Sequence, residues 1–121
     1  MSRALDDLSP QMLPLAEKLL ARCAEAGIMV MIVDTLRTAA EQQAYVAKGV
    51  SWTLHSKHLT GDAIDICPYE TYALHGPDKL KWDAADPVWQ KIGAIGEGLG
   101  LKWGVIKNGM RIDLGHFQLK T

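Results

Sequence analysis

Apolar and polar positions recur with two different periods along the chain, and each change of period marks an element. Met12, Leu15, Ala16, Leu19, Leu20 and Cys23 return at three- and four-residue spacing, which is the signature of a helix with one buried face. Ser9-Pro10 precedes them. Ser9 reads as the N-cap hydroxyl and Pro10 as the first helical residue, where its missing N–H has no intrahelical role. Gly27 is the stop. Ile28 to Val33 is an unbroken apolar run with two Ile and two Val, and predicts a fully buried strand. Thr38 and Glu41 have capping-box spacing, opening a second helix that ends near Gly49. Residues 50–62 lack a period and read as loop. Ala63 to Cys67 reads as a short strand in which Asp65 interrupts the apolar run. Residues 68–83 read as irregular, with Gly76-Pro77 as a turn signal.

Asp86-Pro87 repeats the cap-plus-proline signal and opens a third helix with Val88, Ile92, Ile95 and Leu99 on one face. Leu101 to Ile106 and Met110 to Leu119 predict two strands joined through Lys107-Asn108-Gly109, since Asn-Gly favours a tight hairpin. No internal repeat, low-complexity segment or linker interrupts this order. The expectation is an α+β fold over residues 1–121, a single compact domain with helices packed against a small, mostly antiparallel sheet.

Composition narrows the classes of function. At 121 residues with 48% hydrophobic positions, the chain can bury a real core. Its net charge of −1 gives no broad basic field, so neither nucleic acid nor an anionic membrane is expected as partner. Cys23 and Cys67 fall in apolar stretches and read as two buried free thiols rather than a disulfide framework. Met1 to Gln11 has no apolar signal core, and the run Ile28 to Val33 is too short to cross a bilayer. The chain is therefore expected to be made in the cytoplasm without a cleaved signal.

The candidate chemistry lies in two segments. The first is Ser56-Lys57-His58-Leu59-Thr60-Gly61-Asp62-Ala63-Ile64-Asp65 and the second Asp113-Leu114-Gly115-His116-Phe117. A carboxylate within Ala63 to Cys67 is costly to bury without a cation or several donors. Asp65 is thus either a metal ligand or an edge residue facing solvent or an arginine. His58 alone reads equally as a surface or core histidine, but Gly61 allows a turn or close approach that could fold it back beside Asp65. Alternation puts His116 and Gln118 on one face of their strand and Phe117 on the other. Two imidazoles and one carboxylate form a three-ligand zinc site with one position left for water, which separates catalytic from structural zinc. Asp113 then reads as the general base, or as a carboxylate orienting a histidine. His55 and His75 are taken as loop histidines. Trp89 fits the core side of the third helix, whereas Trp52 and Trp82 sit in loops where they could line a groove.

These two segments, together with Trp103-Gly104, resemble the D-Ala-D-Ala carboxypeptidase/L-alanyl-D-glutamate endopeptidase family of zinc peptidases, and its phage endolysin branch most. The pattern is Ser-x-His-x-x-Gly-x-Ala-x-Asp, a Trp-Gly, then Asp or Glu-x-x-His. It covers about Asp34 to Leu119. Vancomycin-resistance dipeptidases and the zinc-binding hedgehog fold are more distant relatives. The resemblance implies one zinc ion per chain on His58, Asp65 and His116, with Asp113 as catalytic base. It makes Arg37 a holder of substrate or of the developing oxyanion, where the residue alone would read as a solvated loop charge. Ser56 becomes a substrate-binding or ligand-orienting hydroxyl, the alternative being a loop cap, and Trp103 becomes a wall of the active site. Gln118 stands where many members have Glu, which puts in doubt an acidic role there.

The resemblance further implies a peptidoglycan hydrolase that cuts the L-Ala–D-Glu bond of the stem peptide. The alternatives are D-Ala-D-Ala carboxypeptidase or dipeptidase action, and a non-catalytic zinc-containing module that only binds peptidoglycan; Asp113 argues against the last. The expectation is a phage or prophage lysis enzyme, a monomer by default for a small wall enzyme, that reaches the wall once a holin has opened the membrane.

Overall fold

The computed structural model describes residues 2–49, 56–70, 79–80 and 83–120. Trp52, His55, His75, Gly76-Pro77 and Trp82, singled out above, lie outside the described residues. Helix α1 spans Met12–Glu25, α2 Ala39–Ala47 and α3 Val88–Gly98. The strands are β1 Val30–Asp34, β2 Ala63–Glu70, β3 Lys79–Leu80, β4 Lys102–Lys107 and β5 Met110–Gln118. They form one sheet in the order β1-β2-β5-β4, with β3 paired to the end of β2, and every pairing is antiparallel.

Most local signals act as expected. Helix α1 starts later than Ser9-Pro10 implied: its N-cap is Gln11 and Pro10 lies in the turn before it, where the Ser9 hydroxyl accepts from the Met12 N–H (3.2 Å). Thr38 and Glu41 make a complete capping box on α2. The Asp86 carboxylate accepts from Val88 N–H (2.9 Å) at the start of α3. Asn108 and Gly109 both have positive φ, 52° and 77°, the geometry of the tight hairpin turn between β4 and β5.

One face of the sheet is the core. Ile64, Ile66, Trp103 and Phe117 pack there against Met12, Ala16, Leu19 and Cys23 of α1 and Trp89 and Ile92 of α3. Cys23 and Cys67 are buried thiols not joined in a disulfide. On α3 the fully buried positions are Trp89, Ile92, Gly93 and Gly96, so the contact face is rotated from the expected stripe. Val88, Ile95 and Leu99 lie at its margin. The reason is close packing: a side chain on Gly93 would meet the Trp103 ring, and one on Gly96 the Phe117 ring.

Two expectations are corrected. The run Ile28 to Val33 is not a fully buried strand. β1 is an edge strand, and Met29 and Met31 are 41% and 42% exposed; an apolar run cannot by itself distinguish an edge from the centre of a sheet. The segment 68–83 is not wholly irregular, since β2 continues through Pro68 to Glu70 and pairs with β3. The ladder bypasses the missing N–H of Pro68 because Tyr69 N–H donates to the Met29 carbonyl (3.0 Å).

Candidate metal centre and active site

The opposite face of the sheet carries the site. Directly paired residues of an antiparallel ladder share a face, and Asp34 pairs with Asp65, which pairs with His116. A row of three polar residues therefore crosses β1, β2 and β5. An irregularity between Ile32 and Asp34 sets this row, because it gives Val33 no partner and brings Asp34 level with Asp65.

His58 joins the row from the 3-10 turn Lys57–Thr60. The Ser56 hydroxyl accepts from His58 N–H (3.2 Å) and starts that turn. Gly61 ends it at φ 74°, and a Cβ there would lie 2.9 Å from the Asp7 carbonyl oxygen. Both functions read from Gly61, the turn and the close approach, are therefore present. The segment after β1 then grips the turn, with Arg37 N–H donating to the His58 carbonyl (3.0 Å).

The orientation of each imidazole follows from its outer partner. His58 Nδ1 lies 2.7 Å from the Thr35 carbonyl oxygen, which can only accept, so Nδ1 carries the proton and Nε2 presents a lone pair. His116 Nε2 lies 2.8 Å from Gln118 Oε1. With that oxygen as acceptor, His116 Nδ1 presents its lone pair to Asp65. The two lone-pair nitrogens converge on Asp65 Oδ1, His58 Nε2 at 3.1 Å and His116 Nδ1 at 2.9 Å. His58 Nε2 is buried with no hydrogen-bond partner, an arrangement costly for a polar atom unless something else occupies that direction. All three ligand atoms lie within 4.8 Å of one another. Two neutral imidazoles and a carboxylate, each held from behind, fit a divalent cation of the zinc type.

Three acceptor atoms facing one another need a cation or protons between them. When protons take that place, burial alone would raise the Asp65 carboxyl, but the hydrogen bonds it then accepts from His116 and His58 outweigh it and hold Asp65 well below the usual carboxylate range. Burial opposes charge on His116, yet the bond to Asp65 and that residue's charge raise its pKa above the ordinary value. Asp113 stays solvent-exposed at the rim. Protein packed near its carboxyl disfavours the charged form, the negative charge of Asp65 adds to this, and the pKa rises. A raised carboxyl retains a proton closer to neutral pH, as a group that takes and returns one requires.

Arg37 lies behind the row. Its Nε donates to Asp34 Oδ2, its Nη1 to Gln42 Oε1 (2.9 Å) and its Nη2 to Asp65 Oδ2 (3.1 Å), and its guanidinium stacks on Tyr45 (4.7 Å). It is not a solvated loop charge. Burial raises the Asp34 carboxyl, and the Arg37 hydrogen bond works against that rise. Asp34, Gln42 and the Thr35 carbonyl were not singled out from sequence. The one visible signal was an acidic residue closing the apolar run of β1.

Trp103 is corrected. It pairs with Phe117 on the core face and is 4% exposed, so its ring does not wall the site. Its indole N–H donates to the Leu114 carbonyl (2.7 Å).

A family model described as phage L-alanyl-D-glutamate peptidase matches residues 2–113, ending before His116. The L-alanyl-D-glutamate peptidase of Listeria phage A118 is 34% identical over 104 residues, 85% of this chain and 34% of that protein. The enzyme of the same name from Escherichia phage T5 is 36% identical over 77 residues, 59% of this chain and 52% of that protein. The chain thus spans about half or less of the length of these relatives. Among solved structures, the Serratia marcescens L-Ala D-Glu endopeptidase ChiX superposes with a TM-score of 0.71 at 24% identity, over 96% of this chain and 83% of that one. The LD-carboxypeptidase LdcB gives 0.67 at 14% identity, over 93% and 58%. At these identities the structures speak for the fold, an α+β domain with a small antiparallel sheet as expected, and the family model speaks for ancestry: this chain belongs to the phage L-alanyl-D-glutamate peptidase family.

Proposed function

We propose that this chain is a zinc-dependent peptidoglycan endopeptidase that cuts the L-Ala–D-Glu bond of the stem peptide, in the manner of a phage endolysin. The observation that carries the reading is the buried convergence of His58 Nε2, Asp65 Oδ1 and His116 Nδ1 in a chain of this family. These three residues would hold one zinc ion. Bound zinc supplies Lewis acidity for the scissile carbonyl and for the attacking water.

The chain's own residues do the rest. Asp113 takes the proton of the attacking water and returns it to the departing amine nitrogen. Its raised pKa suits the second transfer. Arg37 holds the far oxygen of Asp65, so the near oxygen faces the two imidazoles. Three of its five N–H groups face Asp34, Gln42 and Asp65, and the other two are assigned to the substrate oxyanion. Ser56, whose oxygen accepts from His58 N–H, can still donate its own hydrogen to a substrate carbonyl. This domain acts as a monomer. No helix of the described residues is long and apolar enough to cross a membrane. Access to the wall is assigned to a holin on the strength of the phage family alone.

The test is mass spectrometry of muropeptides after digestion of purified peptidoglycan, with zinc and with chelator. Stem peptides beginning at D-Glu, with L-Ala left on muramic acid, are expected with zinc alone. Release of only a terminal D-Ala would shift the assignment to carboxypeptidase. No new fragment from the zinc-loaded protein would leave a binding module.

A further inference from the structure

We infer that Trp103 is a positioning residue for Asp113, acting through the hydrogen bond from its indole N–H to the Leu114 carbonyl; the inference rests on the base role given to Asp113 above. Trp103 pairs with Phe117 and Val105 with Ile112. Gly104 alone therefore stands opposite four residues of β5, Asp113 to His116. The ladder to β4 cannot hold this bulge, because three of the four have no counterpart. Bulges of this kind re-aim side chains beside active sites.

Asp113 itself sits at φ 56°, a left-handed conformation that Asp tolerates but that nothing local enforces. Two features of the neighbouring strand supply what is missing. Gly104 makes room, since a Cβ there would lie 2.7 Å from the Ile112 carbonyl oxygen. The Trp103 N–H then ties the bulge at Leu114, the residue after Asp113, with a 2.7 Å bond. The indole cannot turn away from that carbonyl. Gly93 of α3 lets the helix backbone lie against one side of the ring, and the Arg111 guanidinium lies 4.3 Å from the ring centroid. A residue that only filled the core would need no donor, and Phe would serve.

The experiment replaces Trp103 with benzothienylalanine, which keeps the bicyclic shape and removes the N–H, in the full zinc-loaded chain. Trp103→Phe is a second variant accessible by ordinary mutagenesis. Three quantities are read: backbone order parameters at Asp113, Leu114 and Gly115, zinc affinity by chelator competition, and kcat and KM on a soluble stem peptide. Order parameters at the bulge are expected to fall, with zinc affinity within about twofold and KM unchanged. Misplacing the base should lower kcat on the order of tenfold. In the Asp113→Asn background the same replacement should change kcat less than about twofold, because the group it positions is already gone. An unchanged bulge, an equal loss of kcat in both backgrounds, or zinc affinity falling in step would overturn the inference. A loosened bulge in a protein that cleaves nothing, before or after replacement, would support the pin and sink the peptidase reading instead.

Discussion

Gly115 lies where β5 leaves no room for a side chain against β2, and Gly115→Ala tests the construction of the site directly. Its φ is not in the left-handed region, so alanine meets no backbone penalty and the effect is steric. The added Cβ would lie 2.2 Å from the Ile66 carbonyl oxygen and 3.6 Å from the Trp89 ring. Real Cβ atoms essentially never come closer than 3.0 Å, so β5 must move away from β2 by about 0.8 Å or more. Overpacking of this kind costs about 1–3 kcal/mol, a fall in Tm of roughly 5–15 °C for a domain of this size. Ile66 follows Asp65 and Gly115 precedes His116, so the same displacement separates the 2.9 Å pair His116 Nδ1 and Asp65 Oδ1. Zinc affinity should drop about tenfold or more. The assays are thermal unfolding and chelator competition, with Gly98→Ala as control. Gly98 has open space around it, and alanine there should stabilise by about 0.5–1 kcal/mol. A Gly115→Ala protein with the parent's Tm and zinc affinity would refute the reasoning.

Three further outcomes are expected. Asp113→Asn keeps a residue that accepts the φ of 56° and should lower kcat by about 10²- to 10⁴-fold with one zinc still bound per chain; full turnover would remove Asp113 from the base role. Arg37→Lys breaks the fork that joins Asp34, Gln42 and Asp65 and should weaken zinc binding about 10- to 100-fold, whereas an unchanged titration would limit Arg37 to substrate contact. Burial pushes the Cys23 thiol up to about 11, so the folded protein keeps this proton at a pH where the unfolded chain has lost it. Stability should be intact below about pH 9 and then fall by about 1.4 kcal/mol per pH unit up to pH 11. Urea titrations of the parent and of Cys23→Ala measure this, and an identical alkaline slope in both would rule Cys23 out as its source.

The features legible in the sequence are those whose physics is local or whose chemistry is rare. Thr38 with Glu41 caps α2, and Ser9 and Asp86 accept from the first N–H groups of α1 and α3, all through contacts a few residues long; Asn108-Gly109 makes its turn alone. His58, Asp65 and His116 stood out because a carboxylate in an apolar strand is expensive and two histidines at useful places could offset it. What stayed hidden depends on register between distant strands. Nothing in Ile28 to Val33 reveals that no strand of the described residues covers its outer edge, or that the ladder slips at Val33 and so aligns Asp34 with Asp65. The bulge at Asp113 is likewise a property of β4 against β5. Without it, Trp103 could be placed beside the site only by resemblance, and its actual position, on the core face with its donor reaching through to Leu114, could not be foreseen.

The sheet carries its core on one face and its ligands on the other, using the same residues of the same strands in alternation. Asp65 lies between Ile64 and Ile66, and His116 beside Phe117. Asp65 and His116 thus have no cooperative unit of their own. They cannot part by a local fluctuation that leaves the interior closed, because releasing β5 from β2 exposes Phe117 at the moment it frees His116. Heat or denaturant should therefore extinguish metal affinity and tertiary structure in one transition, without a folded but ligand-disordered intermediate.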